Sequence, residues 1–361
     1  MFSTKITDES VNDINVSHQN QLPADSVSSI VWMPYDNYRL FATASWDSKI
    51  RIYEPLVDKF NSNKVNLELH GGFEVEDPCL SIAWCEDDPT KLFGGCVNGT
   101  VKAFDISSGK YASIGAHQGS VKDVYWLPKA NVLLSLSFDK TINFWDLRQE
   151  EPAATLALGY KAFCSDLLLP YLAVGMSDEK LALIDLNNLQ ALQNKSVDIY
   201  ESPLGTGSTL TTVAFSSDGA GIAVGAHDGR ANVSKFTTDI VGNLKLSPVV
   251  TFRTKKYANY IPVSKQVMYP VHDIGFSPLH NDFVFTAGGE GTINFWDFNR
   301  RDKIKSYNFD GAPVTRTKMS PDGLLMAYAL GYDWLSGIGG QFSAKTKVCV
   351  HVMQKEDLAG K

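Results

Sequence analysis

Three observations predict an all-β fold for this 361-residue chain, a seven-bladed propeller. A turn acid or amide is followed six residues later by an aromatic or apolar strand residue, and this pairing recurs along the chain. Between the copies lie short alternating segments, each running into a Pro, Asp or Gly turn. No long stretch with helical periodicity interrupts them.

The elements follow in chain order. After a polar N-terminal tail, "NDINVSH" (12–18) alternates polar and apolar residues. It precedes the first blade, so it is expected to form the outer strand of the last one, closing the ring and leaving no long edge exposed. The inner strands are "SVSSIVWMP" (26–34), "CLSIAWCE" (79–86), "SVKDVYWLP" (120–128), "TLTTVAFSSDG" (209–219), "PVHDIGFSP" (270–278) and "PVTRTKMSPDG" (313–323). The turn acid and strand residue are Asp47 and Tyr53 in "WDSKIRIYE", Asn98 and Phe104 in "VNGTVKAFD", and Asp139 and Trp145 in "FDKTINFWD". They are Asp178 and Ile184 in "SDEKLALID" and Glu290 and Trp296 in "GEGTINFWD". A weaker copy, "HDGRANVSKF", opens at Asp228 and puts Ser234 at the sixth position; a degenerate one ends in "TKVCVHVM". Copies spaced about 40–60 residues apart are the signature of WD40 blades, and seven blades of about 52 residues use the whole chain. Residues 1–361 are therefore read as a single WD40 propeller domain.

Composition narrows the function. The chain is 44% hydrophobic and 20% charged, with a formal net charge of −7, so no general attraction to nucleic acid or anionic membrane is expected. Cys79, Cys85, Cys96, Cys164 and Cys349 are scattered, with no CxxC spacing, which argues against a disulfide framework or zinc knuckle. The first residues hold no apolar signal core, and the longest apolar run, near "LLLPYLAVGM" (167–176), is too short to span a bilayer. A reducing compartment, cytosolic or nuclear, and no membrane insertion are expected.

Reactive-looking constellations have plainer readings. His117, Ser135, Ser137 and Asp139 could form a hydrolase triad, which requires mutual hydrogen-bond reach. In a propeller blade the same residues tie a turn to its neighbouring strands, with the Trp145 indole N–H as a further donor. We assign Asp47, His117, Asp139, Trp145 and Trp296 structural roles. "PLGTGST" (203–209) lacks the lysine and spacing of a phosphate loop, and "GIGGQ" (337–341) does not open a dinucleotide fold. The seven histidines show no metal-ligand spacing. No catalytic residue, metal, cofactor or small-molecule substrate is assigned.

Blade geometry puts b–c turns and d–a linkers on one face, the top. Trp46, Arg230, Lys255, Lys256, Tyr332 and Trp334 all fall there. That is the composition of an interaction hot spot, with arginine suited to carboxylates. A solvated surface is the plainer reading for any one of them. On the opposite face "NRRDKIK" (299–305) clusters Arg300, Arg301, Lys303 and Lys305, which are candidate RNA contacts or a charged, solubilising turn.

Several stretches resemble one family of propellers. They are "LPADSVSSIVW", "ATASWDSKIRIYE", "AHDGRANV", "YPVHDIGFSPLHNDFVFTAGGEGTINFWD" and "AYALGYDWLSG", spread over nearly the whole chain. The family is the nuclear-pore mRNA-export factor, Gle-two/Rae-one, whose close paralogue is the mitotic-checkpoint propeller. "YALGYDW" resembles the export factor's last blade. The resemblance implies a non-catalytic scaffold in the nucleus, at the nuclear pore. It implies that the top face binds the GLEBS segment of a nucleoporin, with Trp46 and Arg230 where the family grips that acidic ligand. It also implies a part in export of polyadenylated mRNA, with mRNA or messenger ribonucleoprotein as a further partner. The checkpoint paralogue, which binds kinetochore kinases, is the alternative. The chain departs from the family after "ESPL" (201–204), where "GTGSTLTT" replaces a basic run, and in Arg253-Thr254-Lys255-Lys256, where charge is kept in a different pattern.

Overall fold

The computed structural model describes residues 14–15, 21–35, 39–57, 65–188, 197–238, 244–254, 268–280, 282–335, 337, 345–354 and 357. These form seven four-stranded antiparallel sheets. Blade 1 comprises strands a to d at Val27–Trp32, Phe41–Ser45, Lys49–Val57 and Val65–Glu74. Blades 2 to 6 repeat that order from inner strands beginning at Cys79, Val121, Ala162, Leu210 and Val271. The inner strands pack against one another in sequence, and that of blade 7, Val314–Met319, packs back on that of blade 1.

The last blade takes its outer strand from the other end of the chain. Ile14 and Asn15 pair with Val350 and Cys349 of strand Lys347–Val352. Paired this way, Lys347–Val352 has neighbours on both sides and is no free edge. The rest of 12–18 lies outside the described residues.

The alternation seen in the sequence becomes seven separate cores, each between two neighbouring blades. Between blades 7 and 1, Phe41 and Tyr53 pack with Leu325 and Val348, all at most 1% exposed. Between blades 2 and 3, Phe93 stacks on Trp126 at 5.1 Å, with Trp145 in the same cluster. Burial of such side chains contributes roughly 1.5–3 kcal/mol each, so adjacent blades hold one another. Polar ties add direction. The Trp32 indole donates to Lys318 O at 2.8 Å, Trp84 to Val31 O at 3.3 Å and Trp126 to Asp87 Oδ2 at 2.7 Å, each bridging to the preceding blade. All five cysteines are buried.

Candidate functional site

The top face is built by two repeated devices. The first is a β-bulge near the top of every inner strand. Pairing register shifts between Val27 and Ser29, Cys79 and Ser81, Val121 and Asp123, and likewise in the other four blades. A bulge inserts one residue and re-aims its side chain. The inserted residues Ser28, Leu80, Lys122, His272 and Thr315 line a top-face cavity of about 360 Å³.

The second device is the residue that precedes each turn acid. In blades 1 to 3 it is Trp46, Val97 and Phe138, and these three wall the cavity as an apolar arc. In blade 6 it is Gly289. A Cβ there would come within 2.8 Å of Asp333 Oδ2 and 3.2 Å of Leu335, so any larger residue would have to displace those two side chains of the blade 7 loop. That loop delivers Tyr332 and Trp334 to the same cavity. It is anchored by Asp333, whose Oδ2 lies 3.2 Å from His272 Nε2 and whose Oδ1 accepts the Leu335 N–H at 3.2 Å.

The structure thus gathers Trp46, Tyr332 and Trp334, but not on equal terms. Trp46 and Trp334 are 45% and 44% exposed. Tyr332 is buried, its hydroxyl donates to Gly337 O at 2.5 Å, and its ring sits 5.5 Å from that of Trp334. It supports Trp334 more than it presents itself. Arg230 does not line this cavity. Its Nε donates to Asp228 Oδ2 at 2.6 Å, Nη1 to Leu204 O at 2.8 Å and Nη2 to Ser208 Oγ. Lys255 and Lys256 lie outside the described residues.

The basic run of the opposite face is divided. Lys303 Nζ stands 5.0 Å over the Trp296 ring and donates to Asn294 Oδ1. Lys305 pairs with buried Asp357 at 2.9 Å. Arg300 reaches Asp297 at 3.5 Å with a side chain 64% exposed, and Arg301 turns to solvent at φ 60°.

Blade 3 holds the Ser-His-Asp set in hydrogen-bond contact. His117 Nδ1 lies 2.9 Å from Asp139 Oδ2, and Nε2 lies 2.7 Å from Ser135 Oγ. The Trp145 indole donates to the same Oγ at 2.7 Å. A neutral imidazole with its proton on Nδ1 satisfies every atom. Burial works against the Asp139 carboxylate, but bonds from Thr141 and the charge and bond of His117 outweigh it and hold its pKa low. Burial depresses the His117 pKa against the pull of Asp139. The His117 side chain and Ser135 have no solvent exposure, so no substrate carbonyl can reach the hydroxyl. In blade 6, where Thr286 replaces the serine, Trp296 donates to its Oγ1 at 2.9 Å.

Asp47 shows the same turn acid with other partners. Arg51 clasps both its oxygens, at 3.1 and 2.7 Å, and the Ala24 and Lys49 amides donate to it. Asp47 is thereby committed inward, leaving Trp46 alone to face out.

The sequence reading missed the bulge residues, Val97, Phe138 and Arg316. Arg316, half-buried, stands where this cavity meets the central channel of about 450 Å³. The signal for Val97 and Phe138 was their place before Asn98 and Asp139, the place Trp46 holds before Asp47. A bulge has no residue signature of its own, and nothing in the sequence distinguishes Arg316 from a solvated arginine.

The chain was compared with known families and curated proteins. The family model "WD domain, G-beta repeat" matches residues 10–54, 109–146 and 197–233. The chain is 30% identical to the poly(A)+ RNA export protein of Schizosaccharomyces pombe, over 94% of this chain and 90% of that protein. It is 30% identical to protein Rae1 of Drosophila melanogaster, over 93% of this chain and 92% of that protein. Identity is 26% to the spindle assembly checkpoint protein bub3 of S. pombe, over 84% and 88%. Similarity of this extent, carried by a ring of seven WD40 blades, places the chain in the Rae-one/Gle-two family of WD40 propellers.

Proposed function

We propose that this propeller is a non-catalytic scaffold in the export of polyadenylated mRNA, holding a GLEBS-type nucleoporin segment on its top face. The observation that carries the reading is the cavity walled by two tryptophans nearly half exposed, Trp46 and Trp334, at the mouth of the ring. Paired aromatics beside basic groups are what a peptide with an apolar anchor and acidic neighbours needs. The names of the relatives support the export role. The nuclear envelope is the compartment in which it would act. Arg300, exposed despite its long contact to Asp297, and Arg301, also exposed, are the residues left for RNA contact. Similarity to bub3 supports a second reading, a checkpoint propeller that binds kinetochore kinases.

Pull-down with a GLEBS-type peptide tests the site. The wild type should capture the peptide, and Trp46→Ala should lose it. Equal capture by both would remove the top-face assignment. Imaging separates the two readings: a nuclear-rim signal in interphase supports export, and a kinetochore signal in mitosis supports the checkpoint.

A further inference from the structure

Three basic side chains reach the top cavity, and two already have an acidic partner. Lys122 pairs with Asp123 at 3.2 Å, and His272 stands against Asp333. Arg316 is different. Its Nε donates to Ser28 O at 2.7 Å, and Nη1 to Thr315 O at 2.9 Å and, weakly, to His272 O at 3.5 Å. All three acceptors are backbone carbonyls. Among the described residues no carboxylate lies within ion-pair reach of the guanidinium, and Nη2 makes no hydrogen bond. The three carbonyls belong to blades 1, 6 and 7, so the guanidinium is fixed at the ring's centre.

A half-buried guanidinium held rigid without a counter-ion is a poor stability device, because desolvating a charge is costly unless it is paired. It is a good recognition device. Its fork is pre-organised, so little freedom is lost when an anion docks. A peptide seated against Trp46, Leu80, Val97, Phe138 and Trp334 would displace water from the cavity, which strengthens the pairing. The chain is acidic overall, at −7, so a cation without a carboxylate partner among the described residues, at the floor of this cavity, is a local exception to the field around it.

We propose that Arg316 is a specificity-determining residue of the top face, reading one carboxylate side chain of the bound peptide at the floor of the tryptophan-walled cavity. The inference rests on the peptide-binding reading above and adds a residue and a ligand chemistry to it. A peptide is favoured over a nucleic acid because the walls include aliphatic Leu80 and Val97, and because the net charge opposes a polyanion.

Calorimetry on the full chain, with a GLEBS-type peptide and its Glu→Gln counterpart, tests it. Arg316→Gln should weaken the glutamate peptide by about tenfold or more. The Gln peptide should bind the wild type correspondingly more weakly, and both changes together should cost no more than either alone. If Arg316→Gln binds the glutamate peptide as the wild type does, while Trp46→Ala does not, Arg316 is excluded and the proposed function stands. If the wild type binds no GLEBS-type peptide, that function falls, and a short probe decides the inference alone. Tryptophan quenching by acetyl-Glu-Leu-Glu-amide that requires Arg316 upholds it; absence of quenching overturns it. Binding of a short oligoadenylate that is lost in Arg316→Gln would assign the arginine to phosphate instead and overturn the peptide reading. A thermal melt accompanies each variant, and Arg316→Lys replaces any Gln variant that fails to fold.

Discussion

Blades 1 and 3 carry the same turn in different company. In blade 3 the acid Asp139 grips His117, which reaches Ser135 and through it Trp145. In blade 1 the acid Asp47 grips Arg51, and among the described residues no histidine bonds to it. Each blade has a conspicuous tryptophan, but Trp145 is 2% exposed at a strand end and Trp46 is 45% exposed in a turn. The turn acid needs only charge-assisted partners that close the hairpin, and either histidine or arginine supplies them. Tryptophan, by contrast, takes its role from position. On strand c it points between blades and packs; one residue before the acid it points out of the ring.

Five experiments break or sharpen this contrast, from the largest effect on stability to the smallest. Trp145→Ala empties the core between blades 2 and 3 and should cost about 3–5 kcal/mol in denaturant unfolding, with peptide binding by the folded fraction unchanged. A loss below 1 kcal/mol would show that the buried tryptophan is not part of the frame. His117→Ala takes one donor from Asp139, which keeps Thr141 and Gln118, and leaves the buried Ser135 hydroxyl without its acceptor, and should cost roughly 1–3 kcal/mol. Hydrolase chemistry would instead need turnover that disappears without any change in the melt.

Acidification probes the same relay without mutation. The folded pKa of His117 is depressed, so below the unfolded value of about 6.5 the unfolded state binds more protons. Its contribution is complete above that value and declines as the pH falls. Asp139 is also depressed, so its contribution is present above about 3.9 and is lost as the pH falls towards its folded value. Both effects act in one direction. Relative to the intrinsic exchange rate at each pH, amide protection in Val121–Leu127 and Thr141–Asp146 should fall as the pH drops below about 6.5, before that of the corresponding strands of blade 1, whose Asp47–Arg51 clasp carries no histidine. Simultaneous loosening of both blades would refute the assignment.

Trp46→Ala should leave the melt nearly unchanged, within about 1 kcal/mol, while peptide affinity falls by about tenfold or more. A large stability loss with unchanged affinity would move Trp46 into the frame beside Trp145. Smallest of all, the exposed pair Arg300→Ala with Arg301→Ala should alter neither melt nor peptide capture, and electrophoretic mobility of an oligoadenylate complex then reports whether that turn touches RNA.

Much of the fold was written in local patterns. The spacing from Asp139 to Trp145, repeated from Glu290 to Trp296, marks hairpins whose geometry depends only on nearby residues. The alternation in "SVKDVYWLP" likewise marks a strand packed on both faces. Sequence also identified Trp46 as standing apart from its neighbour Asp47. It could not show that Tyr332 would be buried, because that depends on Gly337 and the loop around it. Nor could it show that Arg230 would be engaged by Asp228, Ser208 and Leu204, since two of those partners come from the preceding linker.

The sequence by itself therefore determined the repeat, the blade count and the structural place of each turn acid, because those follow from short-range periodicity and hydrogen bonding. The tertiary structure alone decided which side chains share the top cavity. Ser28, Lys122, His272 and Thr315 arrive there through bulges in four different blades, and the guanidinium of Arg316 is held by carbonyls of three of them. Convergence across a ring is a long-range property: residues hundreds of positions apart meet only once Val314–Met319 has packed against Val27–Trp32.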